Sequence, residues 1–264
     1  MSSAPSKTPH SAEPDFDLDY SIHDFEVEHL QDSTYLFQQI EDAMVKEGAL
    51  PEGRTLDVAC GVGRLAARFR NTGGQGWGIE PSGEMLGLSR LIVPRDAVVL
   101  TRGVAETLPF RDGAFDRIVC QGALDHFVEP HAFMAEAARV VRPDGRVIVA
   151  LANYESLSCR LGRPLQRAYW RLRNRQPEGR PYWQIPDDHF HKGSLAFVRQ
   201  LGGQELTLER AYGLSLFWLF PGWGQALAFI PSAAGNALLA ALNKLAHGRP
   251  TLSDTIVSVW KKPS

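Results

Sequence analysis

The residues with the most chemical potential gather around one glycine turn. The run Leu56-Asp57-Val58-Ala59-Cys60-Gly61-Val62-Gly63-Arg64-Leu65-Ala66 reads as a strand that enters a glycine turn and continues as a helix. Gly61 and Gly63 let the backbone turn tightly and approach a ligand with no Cβ in the way, and the helix start offers unbonded N–H groups. Gly61-x-Gly63-x-x-Ala66 also satisfies the dinucleotide fingerprint. Asp57 separates the two ligand classes. It lies four positions before Gly61, at the carboxyl end of the strand, where its charge would repel a pyrophosphate. It suits S-adenosylmethionine, which carries an ammonium and a sulfonium and no phosphate. Glu80 ends the next strand, nineteen positions after Gly61, and can accept both hydroxyls of a ribose. That contact serves NAD equally, so it indicates an adenosine without choosing between the two.

A sulfonium-borne methyl is already activated, so a protein handling it must align an acceptor and exclude water, an effect worth about 7–11 kcal/mol. An acceptor that sheds a proton also needs a base. The candidates are His126, in Leu124-Asp125-His126-Phe127, and His189, in Pro186-Asp187-Asp188-His189-Phe190-His191. Asp125 is expected to orient its neighbour His126 or raise its pKa. The alternating Asp and His match no metal-ligand spacing, and no metal is expected. Cys60, Cys120 and Cys159 are odd in number and also lack such spacing. All three fit a reducing compartment, and Cys60 and Cys120 read as small buried hydrophobes.

The elements that must position these groups alternate. Strand-type runs lie at Thr55–Ala59, Trp77–Ile79, Ala97–Leu100, Phe115–Cys120 and Arg146–Leu151, with helical runs at Arg64–Arg70, Ser82–Arg90 and His131–Val141. A helix over Thr34–Glu47 precedes them. This order predicts an α/β fold, a mainly parallel sheet with helices on both faces. After Leu151 the rhythm breaks: residues 156–175 are helical in period, a short helix covers Lys192–Leu201, and two further strands fall at Leu206–Tyr212 and Thr255–Trp260.

The block Thr55–Leu151 resembles a class I S-adenosylmethionine-dependent methyltransferase. It is similar in particular to the ubiquinone and menaquinone biosynthesis methyltransferases (methyltransferase type 11 domain). The resemblance rests on the glycine turn, on Gly78-Ile79-Glu80-Pro81-Ser82 and on Gly103-Val104-Ala105-Glu106-Thr107-Leu108-Pro109-Phe110. It continues through Phe115-Asp116-Arg117-Ile118-Val119 and Ala138-Arg139-Val140-Val141-Arg142-Pro143-Asp144-Gly145-Arg146. It implies a Rossmann-like sheet of seven strands, the last of them antiparallel, with a helical insertion or lid in the C-terminal half. Asp57, Ala59, Gly61 and Gly63 would hold the methionine end of the cofactor and Glu80 its ribose. Pro81 and Met85 would flank the adenine, with Ala105 (through its N–H) and Glu106 along the adenine edge. Gln121 would line the transfer site, and the segment around His189 would cover the acceptor. Val104 departs from the pattern, because many relatives place there an acid that accepts from the adenine amino group. Either Glu106 makes that contact or it is missing.

The 264 residues, 44% hydrophobic and 22% charged, suffice for one large core and exclude collagen-like or disordered chains. A net charge of −2 gives no bulk attraction to nucleic acid. The charge is uneven: residues 1–55 hold three bases against twelve acids, and residues 151–264 fourteen bases against seven acids. Residues 1–31 are expected to form an acidic mobile leader and residues 32–264 a single domain. Its cofactor half would be 54–151, with substrate or lid elements at about 155–192 and 213–248. No secretory signal opens the chain, so a cytoplasmic location is expected. The region 157–183 interleaves arginines with Tyr169, Trp170, Tyr182 and Trp183 over a stripe of Leu157, Leu161, Leu165 and Leu172. Such a helix suits a membrane surface. The uncharged stretch 211–243, broken by Pro221 and Pro231, could add an apolar lid. The expected acceptor is a small lipophilic molecule, with O-, C- and N-methylation all open. An NAD-linked oxidoreductase, a non-catalytic S-adenosylmethionine-binding protein and an RNA methyltransferase remain as alternatives.

Overall fold

The computed structural model describes residues 30–94, 97–174 and 181–263. Almost all of the expected leader, together with Arg175, Pro177 and Arg180, lies outside them. The chain runs α1 (Gln31–Gly48), β1 (Arg54–Val58), α2 (Arg64–Asn71), β2 (Gln75–Glu80), α3 (Gly83–Ile92) and β3 (Val99–Arg102). It continues with β4 (Phe115–Gln121), a 3₁₀ turn (Leu124–His126), α4 (Pro130–Val140), β5 (Val141–Ala152) and α5 (Leu157–Arg173). The last elements are α6 (Leu195–Gln200), β6 (Thr207–Leu214), α7 (Trp223–Leu227), α8 (Ser232–His247) and β7 (Thr255–Lys261). One seven-stranded sheet results, ordered β3-β2-β1-β4-β5-β7-β6. β1 to β5 pair in parallel, and β7 slots between β5 and β6 antiparallel to both.

The central strands are apolar on both faces, as parallel strands covered twice must be. Leu56, Val58, Ile118, Val147 and Val149 turn to one side, where Phe133, Met134, Leu195 and Val198 of α4 and α6 meet them. Val119, Ile148, Val257 and Val259 alternate to the other, against Leu36, Ile40 and Met44 of α1 and Phe69 of α2. Ser82, Ser156 and Ser194 cap α3, α5 and α6 by accepting from the N–H of Met85, Cys159 and Phe197. β3 sits two residues beyond its expected place. It is an edge strand with half-exposed side chains, so Thr101 and Arg102 carry no apolar mark in the sequence.

Two expectations for the C-terminal half separate. Residues 155–174 run out from the end of β5, and residues 181–192 lie back at the carboxyl edge of the sheet. The segment 213–248 forms no lid: α7 and α8 pack against α1 and β6. Gln31 donates to the Ser232 carbonyl and Asn236, and Asn243 donates to Gln39. Leu227 and Leu239 are buried in this way, whereas Phe229, Ile230, Leu238 and Leu245 stay exposed, a division that a hydrophobic run cannot announce.

Asp254 bolts the excursion to the sheet. Its carboxylate accepts from the Ser158 hydroxyl at 2.6 Å and the Trp218 N–H at 2.8 Å, and burial raises its pKa from the usual 3.8 to about 6. A carboxyl raised on folding is neutral in both states below pH 3.8. Between pH 3.8 and 6 the unfolded chain ionises first, so this group's contribution to stability falls as pH rises, by about 3 kcal/mol in all. Urea unfolding of the parent chain and Asp254→Ala at pH 4 and pH 7 should therefore show the parent's advantage narrowing by ~2–3 kcal/mol at the higher pH.

Candidate active site

A cavity of about 700 Å³ opens at the carboxyl edge of the sheet, walled by the ends of β1, β2 and β4 and by the loops that follow them. Asp57, Ala59, Gly61, Glu80, Pro81, Met85, Ala105, Glu106 and Gln121 all reach its wall, as do His126 and His189. Gly63 stands behind the turn. It caps α2 in a left-handed conformation, φ 78°, and a Cβ there would meet Leu100 at 3.0 Å. Gly61 is also left-handed, φ 54°, with open space where a Cβ would point. Ala59 shares that conformation, φ 56°, which its residue type does not signal.

The glycine turn is tied to the next strand by Glu80. One carboxylate oxygen accepts from the Gly61 N–H at 2.9 Å and the other from the Ser82 N–H at 3.0 Å. A carboxylate oxygen can accept more than one hydrogen bond, so these amide contacts are compatible with a ligand hydroxyl on the same carboxylate. Asp57 is buried, and its carboxyl is pushed well above the usual carboxylate range, first by desolvation and further by the charge of Glu80. The same burial and the same two acids push the Cys60 thiol up, so it is no nucleophile at neutral pH. Gln121 adds a buried carbonyl oxygen with no hydrogen-bond partner among the described residues. A buried acid whose ionised form is disfavoured and an orphaned acceptor suit a ligand that brings a cationic donor, such as an amino-acid ammonium. A pyrophosphate would add charge of the wrong sign.

The histidine side is wired differently from expectation. The Asp125 carboxylate takes His189 rather than its neighbour, its Oδ2 2.9 Å from Nδ1 of His189, and on His126 its charge acts to raise the pKa against the larger effect of burial. His126 instead directs Nδ1 toward Asp188, 3.3 Å from the backbone carbonyl and 3.5 Å from a carboxylate oxygen. The cause is backbone docking: the Asp125 carbonyl accepts from the N–H groups of Phe190 and His191, which lays the 186–191 segment across the 3₁₀ turn. The two imidazoles meet edge-on with centroids 4.2 Å apart. Burial, and next the His189 ring, hold His126 below its usual 6.5. Donor atoms of Asp125, His126 and His189 lie within 4.8 Å of one another; Asp125 Oδ2 pairs with His189 Nδ1, while Asp125 Oδ1 is buried with no hydrogen-bond partner among the described residues. His191 stacks on Phe197 at 5.4 Å, a packing role.

Sequence reasoning missed Asp188 and Tyr154 as members of this site. The Tyr154 hydroxyl lies 3.4 Å from Nδ1 of His189; its place just past the end of β5, on the ligand-binding edge of such sheets, was the available signal. Glu41 of α1 also reaches the wall, and nothing in its sequence surroundings marks it.

The family described as "Methyltransferase domain" matches residues 56–149. An uncharacterized methyltransferase of Bacillus subtilis, YcgJ, is 34% identical over 101 residues, 37% of this chain and 40% of that protein. A ubiquinone biosynthesis O-methyltransferase of Sodalis glossinidius is 29% identical over 118 residues, 44% of this chain and 47% of the relative. The chain thus spans about half the length, or less, of these curated relatives. In fold it is similar to an S-adenosylmethionine-dependent methyltransferase of Thermotoga maritima, with a TM-score of 0.58 at 20% identity over 88% of this chain and 92% of that one.

The raised carboxyl of Asp57 gives the site a pH signature. A cationic ligand favours the ionised form, so binding of S-adenosylhomocysteine should release a proton and tighten as pH rises through the Asp57 transition. Calorimetry in buffers of different ionisation enthalpy measures that proton. Asp57→Asn should abolish the release and weaken binding about 10- to 100-fold.

Proposed function

We propose that this chain, whose residues 56–149 match the methyltransferase domain family, moves a methyl group from S-adenosylmethionine to a hydroxyl of a small lipophilic acceptor. One observation carries the reading: a cation-seeking acid pair and a carboxylate-oriented histidine face the same cavity. When bound, S-adenosylmethionine supplies a methyl already activated by its sulfonium.

Each residue then has a task set by its chemistry. Asp57 balances the ammonium, and Gln121 offers a donor on the ligand the acceptor it lacks. Glu80, fixed by two amides, takes the ribose hydroxyls. Pro81 and Met85 give the adenine an apolar seat. Ala105 offers its N–H along the adenine edge, and half-buried Glu106 stands in for the acid missing at Val104. On the acceptor side, donation of the Nδ1 proton of His189 to Asp125 leaves the Nε2 lone pair as base. Nε2 would take the proton that the acceptor hydroxyl gives up, while S-adenosylmethionine held by Asp57, Gln121 and Glu80 would supply the methyl. His126, held neutral by burial, flanks that base without competing as a cation. The hydroxyl acceptor is supported by this base, which a thioether acceptor would not need, and by the likeness to ubiquinone biosynthesis O-methyltransferases. The acids around Gly61 disfavour the NAD-linked alternative, because they oppose a pyrophosphate.

His189→Ala should lower kcat by about 10²–10⁴ while leaving the affinity for S-adenosylhomocysteine unchanged; unaltered turnover would remove His189 from the mechanism. To find the acceptor class, the chain can be incubated with radiolabelled methyl donor and extracts divided into lipid, polar and RNA fractions. Label is expected in the lipid fraction, and label confined to RNA or to no fraction would overturn the proposal.

A further inference from the structure

α5 leaves the carboxyl end of the sheet as a helix with little packed over it among the described residues. Only Ser158, Cys159 and Gly162 are buried along its length. Leu161, Leu165 and Leu172, at helical spacing on one line, are 43%, 57% and 86% exposed. Their position follows from what holds the other face. Tyr182 donates its hydroxyl to the Ser158 carbonyl and fills the space a side chain at Gly162 would need, and Trp183 donates its indole N–H to Gln166. The returning segment thus grips α5 from behind and presents the leucines to solvent.

The helix carries five arginines and no acid. Arg167 stacks over Trp183 at 5.0 Å and Arg173 over Tyr169 at 5.9 Å. Arg167, Arg171 and Arg173 form no salt bridge among the described residues. Arg160, Arg167 and Arg171 line one side of the leucine stripe and Arg173 the other, set by the 100° turn per residue. An exposed apolar line between cations calls for a partner that is apolar inside and anionic at its rim. Nucleic acid meets the arginines but gives the leucines nothing.

We infer that α5 docks on an anionic phospholipid surface, the leucines entering the acyl boundary and the arginines binding the phosphates. No helix among the described residues is long and apolar enough to cross a membrane, so the contact is in the plane of the surface. The placement joins docking to the cavity. α5 starts three residues after Tyr154, and the segment that grips it runs on to His189, whose Nδ1 lies 3.4 Å from the Tyr154 hydroxyl. On the reading proposed above, a lipophilic acceptor could pass from bilayer to cavity along this excursion; the docking itself needs no methyl transfer.

Co-sedimentation of the full chain with phosphatidylcholine vesicles, with and without phosphatidylglycerol, tests the inference at physiological salt. The anionic vesicles should retain the chain. A Leu161→Ser, Leu165→Ser, Leu172→Ser variant should lose at least about tenfold in vesicle partitioning, with unchanged S-adenosylhomocysteine affinity reporting an intact fold. Leu172→Ser alone, at the outermost position, gives a milder loss should the triple variant fail to fold. Arg167→Gln, Arg171→Gln, Arg173→Gln should erase the preference for phosphatidylglycerol. Equal recovery with and without vesicles, or a leucine variant that binds like the parent, would overturn the inference. So would a parent dimer that the leucine substitutions dissociate, because a second copy would then cover the stripe.

Discussion

Two carboxylates held beside one glycine turn govern what the cavity can accept. Asp57 and Glu80 come from adjacent parallel strands, at the register where both reach the carboxyl edge, and the Gly61 amide ties the turn to the second of them. Burial makes the Asp57 charge hard to sustain alone, and Glu80 makes it harder. A cation entering the turn relieves both effects at once, whereas a phosphate aggravates them. The glycines are needed for the same reason: a ligand must come within hydrogen-bond reach of the turn before the acids can act on it.

The second half of the chain is organised by how it leaves the sheet and returns. Asp254, buried at the start of the last strand, gathers Ser158 at the root of α5 and Trp218 of the preceding loop. The excursion then returns along 181–192, where the Asp125 carbonyl catches two backbone N–H groups. That catch places His189 against the Asp125 side chain. The acceptor side is therefore built from two segments that each contribute one member of a couple, and both are fixed by main-chain bonds rather than by the side chains that would do chemistry.

Where sequence and structure agree, the signal was local. Leu56, Val58, Ile118, Val149 and Ile256 mark strands because a strand covered on both faces must be apolar throughout. Asp57, Gly61 and Glu80 mark a site because the spacing of a strand, a turn and the next strand is short and stereotyped. Where they part, the deciding contact is distant. Asp125 and His189 are 64 positions apart, and proximity in sequence suggested His126 instead. The run 211–243 reads identically whether it covers a ligand or a neighbouring helix, and only its packing on α1 distinguishes the two. β3 slid because an edge strand carries a weak apolar pattern.

The sequence by itself determined the alternation of strands and helices and the acid-flanked glycine turn, since these rest on residue type and short-range spacing. Only the tertiary structure decided which histidine an aspartate orients and against which helix the long uncharged stretch packs. Those outcomes depend on pairs of groups brought together by backbone hydrogen bonds across long loops, and a linear pattern holds no record of which partner arrives.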